Sequence, residues 1–150
     1  MSYTDMLIQV VTSFFGTLGF GFLFNIRGWK LLYSALGGML AWGLFLILGF
    51  AFDSEPLRYF IVAVCSTVYS EILARALKTP ASTFSIISLI PLVPGGALYD
   101  ATTMALARNT EFLNSFIYTV ELSVALSLGI VIVTAVSKHV FKPRKQRKTV

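Results

Sequence analysis

Two prolines and two glycines stand close together in one apolar segment, directly before a tyrosine and an aspartate. Residues 88–100 read SLIPLVPGGALYD. Pro91 and Pro94 lack an amide proton and obstruct the preceding helical turn. Gly95 and Gly96 tolerate φ values that other residues resist. We therefore expect the helix to break here, with the two glycines opening a second half-helix whose free amides and positive dipole end attract an anion.

Asp100 follows about one turn after the glycines, next to Tyr99. A carboxylate in this place can take up and release a proton beside the expected anion site. We predict that the prolines, the glycines and Tyr99 contact a solute and that Asp100 couples its movement to protons. The simpler alternative is a proline kink without a ligand.

Three further ionisable residues interrupt apolar segments. Glu121 lies about nine residues into the last segment, where an ionised carboxylate costs on the order of 2.5–3.5 kcal/mol on insertion scales. We expect it to face inward, to be protonated or to have a partner, and we assign it to proton coupling; the alternative is an interhelical hydrogen bond. Glu71 and Arg75 are four residues apart, so they can pair on one helix, either as a structural pair or as a gate.

The elements that carry these residues are predicted to lie in a membrane. The 150 residues are 56% hydrophobic and only 13% charged, about half the charge of a soluble domain, which excludes a water-soluble globule. Apolar segments at 6–24, 31–52, 59–77, 83–107 and 112–137 each have room for the roughly 20 residues of a spanning helix. The fold class is therefore an all-α integral membrane protein of five transmembrane helices, with the fourth broken between Pro91 and Gly96.

The basic residues predict how the chain lies in the membrane. An alternating topology places ten of the twelve Lys and Arg residues on one side and two, Arg58 and Arg108, on the other. The positive-inside rule then puts the N-terminus outside and the C-terminus in the cytoplasm. The first segment lacks a cationic leader and should stay uncleaved. We divide the chain into a five-helix domain at 1–137 and a basic tail at 138–150, which fits anionic headgroups better than nucleic acid.

Small residues at steps of four predict where helices pack closely. Such residues are Ser13, Thr17 and Gly21, then Ser34 with Gly38 and Gly37 with Ala41. On the third helix, a further face should look into protein or a water-filled cavity; it carries Ala63, Thr67, Ser70 and Ala74 together with Glu71 and Arg75. An intramembrane enzyme is disfavoured, because His139 stands alone and Cys65 has no histidine near it in sequence. We expect neither a metal site nor a cofactor.

Several short motifs resemble those of the threonine/serine exporter family, in particular its short membrane module. They are Phe15-Gly16, Leu18-Gly19-Phe20, Leu23-Phe24-Asn25, Gly37-Gly38 with Trp42, Lys78-Thr79-Pro80 and, most specifically, Pro91-Leu92-Val93-Pro94-Gly95. The resemblance covers nearly the whole chain. It implies proton-motive-force-linked export of small carboxylate-bearing metabolites, either threonine and serine or succinate.

The resemblance also implies a two-part transporter at the cytoplasmic membrane, whose other part is a longer membrane module. Five spans alone make a thin scaffold for alternating access, so a partner or a homo-oligomer is expected on physical grounds as well. The alternative is an accessory subunit that stabilises a larger partner and has no substrate site of its own.

Overall fold

The computed structural model describes residues 3–108 and 110–140, and it is helical almost throughout that part. We number the helices in chain order; a single 3₁₀ turn, Ile90–Leu92, follows α4. Their bounds are α1 Tyr3–Leu23, α2 Trp29–Leu48, α3 Glu55–Ala76, α4 Ala81–Leu89, α5 Gly95–Leu106 and α6 Phe112–Val140. The all-α prediction is confirmed.

Helices α1, α2, α3 and α6 are each long and apolar enough to cross a membrane. The segments Ala81–Leu92 and Gly95–Leu106 pass the same test only as a pair, and they are bent by 53° relative to each other. The number of spans is therefore four, or five when the bent pair is counted as one. The chain is a multi-pass membrane protein, and the predicted orientation of its termini stays a prediction.

The connections are short because left-handed residues turn the chain sharply at the helix ends. Asn25, Lys78 and Arg108 adopt positive φ, as does Gly28 directly before α2. Glycine populates this region without a steric penalty and asparagine does so with little, so Gly28 and Asn25 suit a tight turn, whereas Lys78 and Arg108 adopt it at a steric cost. Residues 141–150, which include most of the predicted basic tail, lie outside the described residues.

The bundle contains two tightly packed helix pairs. Helix α1 packs on α2 and α3 packs on α6, while α4 lies against both α2 and α3. A Cβ added to Gly38 would collide with the side chain of Thr17, and one added to Gly129 would lie 2.7 Å from the Ala63 Cβ. Close backbone approach of this kind supplies dispersion contacts, which stabilise helix association in lipid.

The buried core lies next to the interrupted helix. It is formed by apolar side chains from α2, α3, α4, the 3₁₀ turn and α6: Ala41, Phe45, Tyr59, Val62, Leu89, Leu92 and Leu122. Leu92 has no exposed surface. Because this side chain is buried in the core, the 3₁₀ turn is held against α1 and α2.

Candidate functional site

The fourth apolar segment is interrupted at Val93 and Pro94. Val93 is extended, with φ −61° and ψ 125°, and Pro94 has φ −73° and ψ 56°. The Val93 amide donates to the Ile90 carbonyl over 3.1 Å, and the Gly95 amide donates to the Val93 carbonyl over 2.6 Å. Neither Pro91 nor Pro94 has an amide proton to continue the helical ladder. Helix α5 then begins at Gly95, as the sequence predicts.

Gly95 and Gly96 contribute open space at this break, and not the unusual backbone conformations that we expected. Among the described glycines, only Gly28 has a positive φ, so the expectation that these two supply unusual backbone conformations is wrong. A Cβ added to either glycine meets no protein atom within 4 Å. The missing side chains therefore leave open space at the start of α5, where the first amides of a helix have no intrahelical acceptor.

A cavity of about 550 Å³ opens at this point. Five predicted residues line it, namely Pro91, Pro94, Gly95, Gly96 and Asp100. Its volume falls within the range of about 300–1,000 Å³ that is usual for small-molecule sites. The start of α5 and the Asp100 carboxylate therefore border one space.

Four predicted site residues lie outside this cavity, and Tyr99 and Glu121 are two of them. Tyr99 is 68% exposed and does not line it, because one step along a helix turns the side chain by about 100° from that of Asp100. Glu121 is exposed on α6, whose cavity-lining residues are Ser115, Tyr118 and Leu122. Of the three alternatives expected for Glu121, an inward direction does not hold in the single chain, whereas protonation or a partner outside the chain stays a prediction.

Glu71 and Arg75 lie at the opposite end of α3 from the cavity. The Arg75 Nη2 atom is 3.1 Å from Glu71 Oε2 and donates to Ser137 Oγ over 2.5 Å. The Ser137 hydroxyl donates in turn to Glu71 Oε2 over 2.6 Å. The predicted pair is present, and Ser137 extends it into a polar clamp that joins α3 to α6. Sequence reasoning missed Ser137, since the contact spans 66 residues.

Sequence reasoning also missed an aromatic wall of the cavity. Trp42 and Tyr59 line it, and both pack on Phe45, with ring centroids 5.4 Å and 5.0 Å from the Phe45 ring. The Arg58 guanidinium lies 5.0 Å from the centroid of the same Phe45 ring, a cation–π contact. Trp42 was quoted only as part of a motif. The signal that could have found the wall is the spacing of large aromatic residues beside the small-residue stripe of α2.

Glu55 is the second carboxylate of the cavity. It is the first residue of α3, and Pro56 follows it in a position that suits the first helical turn. Glu55 lies between the predicted apolar segments 31–52 and 59–77, so the sequence does not predict its position in the site. With Asp100, it gives the cavity two acidic groups in addition to the amides at the start of α5.

The arrangement suits a solute that carries both a carboxylate and a cation. The α5 amides and the positive end of its dipole favour a negative group. The carboxylates of Glu55 and Asp100 can pair with an ammonium group, and the aromatic wall can pack against carbon atoms. The hydroxyls of Ser115, Tyr59 and Tyr118 add hydrogen-bonding partners at the cavity surface.

One comparison with known proteins finds a family match for this chain. A family model described as "Threonine/Serine exporter, ThrE" matches residues 9–136. No curated protein and no solved structure matches the chain. The matched region includes the break, the cavity-lining residues, Glu71 and Arg75, and it ends one residue before Ser137. The chain belongs to the threonine/serine exporter family.

Proposed function

We propose that the chain is a subunit of a secondary transporter that exports a small amino acid through the cavity at the break. One observation carries the proposal: the start of α5, two carboxylates and an aromatic wall border the same space of about 550 Å³. Membership of an exporter family supports a transport role over an enzymatic one. Discontinuous helices form the substrate sites of many secondary transporters.

In this proposal the solute carboxylate lies against the amides at the start of α5. The solute ammonium group pairs with Asp100 or Glu55. Two carboxylates in one cavity repel a second negative charge, so serine or threonine is favoured over a dicarboxylate such as succinate. The family resemblance alone left these solutes open.

Proton coupling belongs to Asp100 in the same proposal. Protonation of Asp100 removes one of the acceptors for the ammonium group, so inward proton flow and solute release to the outside are linked. Glu71 and Arg75 close the opposite, cytoplasmic end through Ser137. Glu121 lies away from the cavity, so we assign it to a contact with a neighbouring protein or with lipid.

The proposed transporter is not complete in one chain. Gly95, Gly96 and Asp100 are exposed in the single chain, although they lie in a membrane segment. Irregular backbone at membrane depth is tolerated only where protein covers it or water reaches it. The second part is either the larger membrane module of the same family or a further copy of this chain.

The test is efflux from cells whose own copy has been deleted. Asp100→Asn should lower efflux of labelled threonine or serine at least tenfold at normal membrane abundance. Glu111→Gln is the matched control, because Glu111 is an exposed acid that does not line the cavity. Wild-type efflux from Asp100→Asn would exclude Asp100 from the mechanism, and equal loss in both variants would indicate a general effect of charge.

A further inference from the structure

We propose that copies of this chain dock on one another through two different faces, with the Asp100 face of α5 on one copy against the Gln9 face of α1 on the next. The neighbouring copy then covers the open side of the break. The contact itself does not depend on the proposed export, whereas its role in closing a solute site does.

Helix α5 is poorly covered in the single chain. It packs on α6, and Ala101 alone among its twelve residues is buried. Asp100 and Thr103 are exposed, and no described residue donates a hydrogen bond to the Asp100 side chain. The Thr103 hydroxyl donates to the Asp100 backbone carbonyl over 2.9 Å. Asp100 also lines the cavity, whose open side leaves the carboxylate exposed. A carboxylate against lipid is expensive, so a hydrogen-bond donor from a neighbouring chain at this open side would lower that cost.

Helix α1 offers such a donor. The Trp42 Nε1 atom donates to Gln9 Oε1 over 3.3 Å. An indole N–H can only donate, so the oxygen of the Gln9 amide faces Trp42 and its nitrogen, with two N–H donors, is the other end. No described residue accepts a hydrogen bond from that nitrogen. Beside it, the Thr12 hydroxyl donates to the Ile8 carbonyl over 2.8 Å.

The two faces lie at the same level of the membrane segment. Gln9, Thr12 and Ser13 line a shallow depression of about 310 Å³ together with Trp42 and Pro91. Trp42 and Pro91 also line the larger cavity that holds Asp100. Since both sets adjoin the same two residues, a neighbouring copy in the same membrane orientation can bring the Gln9 amide to the depth of Asp100.

The proposed contact pairs Asp100 of one copy with Gln9 of its neighbour. The pair forms once in a head-to-tail arrangement, and it forms twice around a two-fold axis along the membrane normal, where each Asp100 faces the other copy's Gln9. Helix α1 packs on α2, whereas α5 packs on α6, so the two faces are carried by different helix pairs that come together near Trp42 and Pro91. Repeated use of two different faces builds a ring when the rotation closes.

The test is disulfide cross-linking in native membranes with Cys65→Ser as the background. Asp5→Cys and Thr103→Cys each lie about one helical turn from Gln9 or Asp100, toward the same end of the bundle. Two differently tagged chains, one with each cysteine, should form a mixed dimer under a mild oxidant, and neither cysteine should cross-link alone. Leu40→Cys on α2, which is 55% exposed, is the control and should not pair with Thr103→Cys.

Three results would overturn the proposal. They are a dimer from either cysteine alone, a cross-link only to a different protein, or no cross-link at normal membrane abundance. Cross-linking is scored independently of export, so a mixed dimer without efflux would count against the proposed function and not against the contact. Conversely, normal efflux without the mixed dimer would contradict the proposed contact between copies but not the proposed export function.

Substitutions that change the charge at Gln9 and Asp100 give a second test, in which the yield of the mixed dimer is measured. Gln9→Glu places a carboxylate opposite Asp100 and should lower the yield of the mixed dimer about tenfold. Adding Asp100→Asn to Gln9→Glu again places an amide, now at position 100, opposite a carboxylate, now at position 9. The yield of the mixed dimer should return toward that obtained with unchanged Gln9 and Asp100. An unchanged yield in Gln9→Glu would contradict the proposed pairing.

Discussion

Substitution of Gly96 by alanine distinguishes the contribution of this residue to stability from its contribution to solute efflux. The added Cβ meets no protein atom within 4 Å, and the residue has no positive φ. Alanine is favoured over glycine in a helix interior by about 1 kcal/mol, and this position lies in the first turn. The free energy of unfolding should therefore stay the same or rise by up to about 1 kcal/mol.

Efflux should respond differently. The methyl group takes up space beside the amides where we place the solute carboxylate. A hydrogen bond to a charged group contributes about 1.5–3 kcal/mol, and each 1.4 kcal/mol corresponds to a factor of ten. We expect efflux of threonine or serine to fall by roughly ten- to a hundredfold, measured in cells or in proteoliposomes and normalised to folded protein.

Gly129→Ala is the matched control, because it makes the same chemical change where there is no room. Its Cβ would lie 2.7 Å from the Ala63 Cβ and 2.9 Å from the Phe60 carbonyl oxygen. Overpacking of this kind costs about 1–3 kcal/mol, so thermal unfolding in detergent should occur at a lower temperature. Efflux per folded molecule should be unchanged. Wild-type efflux from a stable Gly96→Ala protein would refute the placement of the solute at α5.

Two further variants test the packing of the bundle. Gly38→Ala should destabilise the protein by about 1–3 kcal/mol, because the added methyl group would collide with Thr17. Thr17→Ala in the same chain should recover much of the lost stability in a thermal unfolding assay. Arg75→Gln should cost at most about 1 kcal/mol, since Arg75 is partly exposed and the Ser137 bond to Glu71 remains; a loss above about 3 kcal/mol would show that the clamp is a main support of the fold.

The helices and the break could be predicted from sequence because local rules fix them. The polar turns delimit the apolar segments, and Pro91 with Pro94 removes two amides from the ladder within four residues. The start of α5 at Gly95 follows from the same rule. The stated reason for the glycines was wrong, because open space rather than backbone freedom distinguishes their positions.

The rest of the site depends on which helix faces meet, and that is a tertiary property. Asp100 lines the cavity and Tyr99 does not, although they are adjacent in sequence. Glu55 enters the site because α3 begins beside the break, and no local motif of the chain indicates that. Glu121 could be placed at its depth in the helix from sequence, but its direction depends on how α6 packs against α3 and α5.

The central claim is that the break at Val93 and Pro94 lines a wet solute site within the membrane. Val93 is 59% exposed and lines the cavity, whereas Val131 on α6 is 61% exposed and lines none of the described cavities. The direct measurement is labelling of Val93→Cys and of Val131→Cys by a charged, water-soluble thiosulfonate in intact membranes, with Cys65→Ser as the background. The account predicts that Val93→Cys is labelled rapidly, that threonine or serine slows the labelling, and that Val131→Cys is inert. Equal inertness of the two cysteines would contradict it.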